Sequence, residues 1–279
     1  MRHDDWVPLG PDLDAVLTSN SDPLKSLSEA EVPAILLRSA FDPRKCDALV
    51  QRFIDRGLMR DPGDSEAAKE DPRMRIDIGT SLGNKGRDQE SFFAHSAETH
   101  GLFNTLFDGL DNPVKMMYDA LQTLAKDKIV KTAEEPDGRQ YGPAIFRVHY
   151  GGHTYKPHID HVVLREKRFN YAVSRFSNQF AGVLCMQNAV HEGRSSQSIV
   201  HRCLWTPEIQ EHIAADTFHE YARNEDISHY RSELEQGDMY FFNTRLIHEV
   251  PALQGNDPRV VLATFIGYEP DEPEVFVWS

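Results

Sequence analysis

In the first half of the chain apolar residues recur at helical spacing, and in the second half they alternate with polar ones or gather in short blocks. Phe92, Phe93, Leu102 and Phe103, followed by Met116, Met117, Leu121 and Leu124, predict two amphipathic helices over 88–110 and 112–131. Another is predicted after Asp42, a ready N-cap, with Pro43 at the first helical position and Gly57 just past the end. Residues 32–41 are a strand-like apolar run, 61–73 a polar loop and 75–80 a short strand. From about Gly142 six strand candidates follow, over 144–150, 155–163, 180–189, 198–205, 238–250 and 259–269, rich in β-branched and aromatic residues. One element interrupts them. Residues 206–237 read as helical after Thr206-Pro207, placed either as a lid at the mouth of the strands or as a helix packed outside them.

Serial strands without a βαβ rhythm predict an antiparallel sandwich or barrel. The expected architecture is one domain over 1–279. Residues 1–141 form a mainly helical support packed outside, and 142–279 a β core carrying the helical insertion 206–237.

Composition narrows the function. A net charge of −14 disfavours a nucleic-acid partner, which needs a basic footprint to displace counterions. No run approaches the roughly 18–20 apolar residues of a membrane span, and "MRHDDWVPLG" lacks a signal peptide's apolar core, so no membrane partner and a cytoplasmic location are expected. Cys46, Cys185 and Cys203 are odd in number and far apart, which argues against disulfides and a cysteine-based zinc site. A small-molecule substrate is the expected partner. The oligomeric state stays open, a homodimer being one option.

The chemistry concentrates in "YKPHIDHVV", where His158 and Asp160 stand two apart, a spacing that puts both on one face of a strand. The triplet by itself is weak, since His3 and Asp5 repeat it near the N-terminus. Its company is stronger. His248 lies in a later strand, and after ten further residues the next strand opens with Arg259. Two imidazoles and a carboxylate on one face of an octahedron suit non-haem Fe(II) and leave three positions open. Arg259, on a strand read as hairpinned to that of His248, offers a two-donor fork to the distal carboxylate of a 2-oxo acid. Zinc accepts the same three ligands, so a metal-binding protein without oxygenase activity is the alternative from another class. Arg259 speaks against it, because a structural metal needs no guanidinium at that spacing.

This pattern resembles the signature of the Fe(II)- and 2-oxoglutarate-dependent dioxygenases. "VHYGGHTYKPHID" and "GDMYFFNTRLIHEVPALQGNDPRVVLATFIGY" are similar to the strands that enter and close the metal site in the prolyl-hydroxylase-like branch. The size and the "FNTRLIHEV" wording are nearest to hydroxylases of N-acylated amino acids and to related alkaloid halogenases.

The resemblance implies a double-stranded β-helix, or jelly roll, and the metal ligands and catalytic residues His158, Asp160 and His248. It also implies Fe(II), 2-oxoglutarate and O2 as cofactor and co-substrates, and Arg259 as anchor of 2-oxoglutarate. Many relatives carry Ser two positions after the Arg. Here Val261 stands there, so a second donor must come from elsewhere, with Tyr150 and Tyr155 as candidates. Phe265, on the face shared by Arg259, Val261 and Ala263, and Arg165 near the mouth are candidate substrate contacts. The halogenases replace the Asp by a small residue to admit chloride. With Asp160 in place, hydroxylation or another oxidation of a small metabolite is expected, a peptidyl hydroxylase being the enzymatic alternative.

Overall fold

The computed structural model describes residues 6–192, 194–195, 197–252 and 257–279. The N-terminal half runs α1 (Leu13–Ser19), α2 (Pro23–Ser28), β1 (Ile35–Leu37), α3 (Pro43–Asp55), α4 (Ser65–Glu70), β2 (Arg75–Ile78), α5 (Leu82–Lys85), α6 (Gln89–Leu106), α7 (Pro113–Ala125) and β3 (Ile129–Thr132). It continues with β4 (Ile145–His149), β5 (Tyr155–His158), a 3-10 turn (Ala172–Arg175), β6 (Asn178–Gln187), β7 (Val190–His191), β8 (Arg194–Ser195) and β9 (Ile199–Leu204). The last part comprises α8 (Pro207–Ala214), α9 (Phe218–Asn224), β10 (His229–Arg231), β11 (Met239–Asn243), β12 (Leu246–Val250), β13 (Arg259–Tyr268) and β14 (Glu274–Trp278). Among the described residues no helix is long and apolar enough to cross a membrane.

The strands form mostly antiparallel sheets. In the larger, the order is β1-β11-β6-β13-β14-β3, with β4 also paired to β13, and β2 to β4. The smaller has the order β10-β9-β12-β5. Alternation along the long strands decides what each face does. On β13, Val260, Leu262 and Ile266 join the cluster formed with the helices, while Val261 packs in a second cluster on the other face. On β6, Phe180, Leu184 and Met186 face the helices, and Ala181, Val183 and Cys185 face away from them.

The helices cover the first face. α3 starts on Asp42, whose carboxylate accepts from the Arg44 amide at 2.9 Å, and it ends before Gly57, whose φ of 65° closes the turn. It buries Cys46, Leu49, Val50 and Phe53, the last with its ring 4.8 Å from Phe146 of β4. α7 is capped by Asn112, which accepts from the Val114 and Lys115 amides, and buries Met117, Leu121 and Leu124.

Three expectations change. The N-terminal half is more than an outer support, because β1, β2 and β3 extend the larger sheet through β11, β4 and β14. The helix expected over 112–131 stops at Ala125. Lys126 turns at φ 53°, and Ile129 begins β3, which pairs in parallel with β14. The insertion 206–237 is helical only in α8 and α9, and then adds β10 to the edge of β9. Its helices pack Ile209, Phe218 and Ala222 against Cys203 and Ile247 on the outside of the smaller sheet. None of the residues of these helices lines the central cavity.

α7 can approach the larger sheet closely because β6 carries Gly182. A Cβ there would lie 2.9 Å from the Phe241 ring, 3.0 Å from Thr264 Oγ1 and 3.1 Å from Met117 Sδ. Gly182→Val should overpack this contact and cost about 1–3 kcal/mol, read as a lower denaturant midpoint at unchanged m-value.

Candidate active site

Between the two sheets lies a cavity of about 430 Å³. His158, Asp160, His248 and Arg259 all line it, with Tyr155, Arg165 and Phe265. The two histidines meet because β5 and β12 pair antiparallel with His158 directly opposite His248. Their ring centroids are 4.3 Å apart.

Each imidazole is oriented by its own strand. His158 Nδ1 lies 2.7 Å from the Lys156 carbonyl and His248 Nδ1 2.9 Å from the Leu246 carbonyl. A carbonyl can only accept, so each Nδ1 carries the proton and each Nε2 presents a lone pair. Both Nε2 atoms face Asp160 Oδ2, at 3.8 Å from His158 and 3.5 Å from His248. The three donor atoms lie within 4.8 Å of one another.

The electrostatics suit a cation. Burial, with His248 beside it, pushes His158 down to about 4, which keeps its imidazole neutral. Burial works to raise Asp160, but its contacts with His248 and His158 and the Arg165 charge outweigh it and hold the carboxyl far below the usual range. Two lone pairs and one anion thus converge, a donor set that fits a divalent metal.

Asp160 does not arrive by strand alternation, as its spacing from His158 had implied. β5 ends at His158, and Asp160 sits in an irregular segment whose amide donates to the Thr244 carbonyl, 3.1 Å away in the turn between β11 and β12. Arg259 also comes from an unexpected direction. β12 lies in the smaller sheet, whereas β13 pairs with β4, β6 and β14 in the larger one, so Arg259 faces the cavity from the wall opposite His248. Its register partner on β4 is His149. Arg259 is buried, and among the described residues no carboxylate forms an ion pair with it. A confined guanidinium without a counter-ion fits an incoming carboxylate.

The remaining expected residues divide. Tyr155 lines the cavity, stacks on His158 at 5.7 Å and places its hydroxyl 2.9 Å from His149 Nε2. Phe265 lines it too, with its ring 6.2 Å from Trp278.

Tyr150 does not reach the cavity. Its side chain points toward the segment after α3, where its hydroxyl accepts from the Arg60 amide at 2.9 Å and the Arg60 guanidinium covers its ring at 3.7 Å. Arg165 lines the cavity, but its guanidinium is engaged by Asp160 Oδ1 and by the Ile159 carbonyl at 2.8 Å, so it braces a candidate ligand. His3 and Asp5 lie outside the described residues.

Among the cavity residues, Arg147 is not singled out in the sequence and His149 reads there as a structural or surface histidine. Arg147, directly opposite Val261 across the β4–β13 ladder, is a cavity residue whose buried Nε has no hydrogen-bond partner among the described residues. His149 is held neutral by burial and by the nearby Arg259 and His153. The signal was present in "AIFRVHY": alternation puts Ile145, Arg147 and His149 on one face, and a charge inside an apolar strand needs a reason.

The model of the family described as carrier-protein-independent halogenase WelO5 matches residues 6–279, so the chain belongs to that family. It is an enzyme, an oxygenase dependent on Fe(II) and 2-oxoglutarate with O2 as co-substrate.

No curated protein sequence matches it. Among solved structures it is similar to an N-substituted L-amino acid dioxygenase from Burkholderia ambifaria AMMD. That protein is 18% identical with a TM-score of 0.57, over 92% of this chain and 90% of that one. The same dioxygenase in complex with alpha-KG aligns at 16% identity and TM-score 0.57, over the same shares of each chain. HygX from Streptomyces hygroscopicus, with nickel and 2-oxoglutarate bound, aligns at 10% identity and TM-score 0.47, over 91% and 89%.

Tyr150 provides a control for these placements. Tyr150→Phe should cost about 1–3 kcal/mol of stability, since the hydroxyl accepts from the Arg60 amide and donates to the Arg60 carbonyl. The dissociation constant for 2-oxoglutarate, measured by calorimetry, should stay at the wild-type value.

Proposed function

We propose that the chain hydroxylates, or otherwise oxidises, an unactivated C–H bond of a small metabolite, with iron held by His158, Asp160 and His248 and 2-oxoglutarate anchored by Arg259. The observation that carries this reading is the convergence of two fixed Nε2 lone pairs on Asp160, across one cavity from a buried guanidinium that has no carboxylate partner among the described residues. The two facing sheets are read as the double-stranded β-helix of this enzyme class, and the chain as one domain, since a single apolar cluster joins the N-terminal helices to the strands.

Bound iron and 2-oxoglutarate would supply the oxidising power, consuming O2 and releasing succinate and carbon dioxide. The chain's own residues do the rest. Tyr155 and Phe242 pack against the two imidazoles and limit their rotation, with Phe242 edge-on to His248 at 5.0 Å. Arg165 holds one oxygen of Asp160 and leaves the other toward the histidines. Ala181, Val183, Val261, Ala263 and Phe265 give the cavity an apolar wall that excludes water from the reacting carbon.

Arg147, unpaired at Nε, favours a substrate or co-substrate bearing an anionic group. An amino acid derivative or natural-product intermediate meets that requirement. The likeness to the N-substituted L-amino acid dioxygenase makes such compounds the first to screen. The choice of oxidation over halogenation rests on Asp160, which occupies the coordination position a halide would need.

Four variants test these assignments. His158→Ala and His248→Ala should each abolish iron retention and 2-oxoglutarate turnover followed by succinate release, and wild-type turnover in either would refute the metal assignment. Arg259→Ala should weaken 2-oxoglutarate by well over tenfold, about 2–5 kcal/mol, while iron binding survives. Saturation at the wild-type concentration would assign the anchor elsewhere. Asp160→Gly, assayed in chloride by mass spectrometry, should lose most hydroxylation without efficient chlorination, because halide transfer also needs the substrate carbon placed nearer the halide than the hydroxyl.

A further inference from the structure

The smaller sheet carries a second convergence of donors on its outer face. Alternation along β12 sends Glu249 to the side opposite His248, where it meets His201 of β9 and His219 of α9. Each carboxylate oxygen faces a different imidazole: Oε1 is 2.9 Å from His201 Nε2, and Oε2 is 3.3 Å from His219 Nε2. The donor atoms of the three residues lie within 4.8 Å of one another, as do those of the central set.

His201 and Glu249 are both more than nine-tenths buried, and among the described residues His201 Nδ1 has no hydrogen-bond partner. His229 on β10 stands directly opposite His201 in the ladder, with ring centroids 5.7 Å apart. Ligand bonds of about 2.0–2.1 Å in a tetrahedron bring neighbouring donors to roughly 3.3 Å, close to the spacings already present.

We propose that His201, His219 and Glu249 form a second metal site, suited to Zn(II) or another divalent ion of borderline softness, with water or His229 as fourth ligand. Two imidazoles and a glutamate are a donor set that zinc accepts, and they leave one tetrahedral position open. Binding requires each imidazole to present the Nε2 lone pair and carry its proton on Nδ1, and His201 Nδ1 makes no hydrogen bond among the described residues that would oppose this. The ion would tie α9 to the sheet and brace β12 from behind, one residue from His248. α9 is otherwise held there through Phe218 and Ala222.

The test counts metal. Full-length protein stripped with a chelator is titrated with Zn(II) against a chromophoric competitor, as wild type, as His219→Ala, and as the double variant His158→Ala/His248→Ala. Wild type should take up two equivalents and each of the others one. Co(II) in the double variant should give the intense visible bands of a tetrahedral site, and adding His219→Ala should abolish them. His219 is half-exposed, so its replacement leaves the fold intact and the comparison with wild type stands even if the double variant is unstable. One equivalent in wild type, or a second equivalent that survives His219→Ala, would overturn the proposal.

Discussion

The site depends on one cross-strand pair. Residues directly opposite in an antiparallel ladder hold their side chains within a few ångströms, and a one-residue slip would send every side chain of the strand to the other face. The β5–β12 register sets His158 against His248 and both toward the cavity. With the register fixed, the carbonyls of Lys156 and Leu246 fix the tautomers, and the turn between β11 and β12 fixes Asp160 through the Thr244 carbonyl. The same alternation gives β12 two chemical faces, with His248 inward and Glu249 outward.

Around that pair, the two sheets divide the work. The smaller supplies the two facing imidazoles, His158 and His248, and the larger supplies the cations, Arg147 and Arg259, from neighbouring strands. Opposed walls suit a bidentate co-substrate that must reach a metal at one end and a guanidinium at the other. The larger sheet can afford buried charge on its inner face because its outer face is sealed by α3, α6 and α7 through one extensive apolar cluster. Arg165 is the exception, reaching from the loop after Asp160 to neutralise the carboxylate it braces.

Much of this was legible in the sequence wherever the signal was local. The Asp42-Pro43 start of α3 and the Asn112-Pro113 start of α7 are written in capping residues, and His158, His248 and Arg259 stand out by spacing. What escaped was set by distant partners. Nothing near Ile129 says that the chain leaves α7 to pair with β14, 145 residues later in register. The short link between His248 and Arg259 suggested a hairpin, but the chain crosses from one sheet to the other. Tyr150 had a family-like position, yet Arg60 draws it away from the cavity, a contact across ninety residues. Arg147 went unnoticed because a charged residue in a strand becomes informative only when its face is known to be enclosed.

Anaerobic addition of Fe(II) and 2-oxoglutarate to the protein bears most directly on whether the three ligands and the guanidinium act on one metal and one co-substrate. A weak visible metal-to-ligand charge-transfer band that appears only when both are present is the predicted result. Iron bound with no such band at saturating 2-oxoglutarate would contradict it.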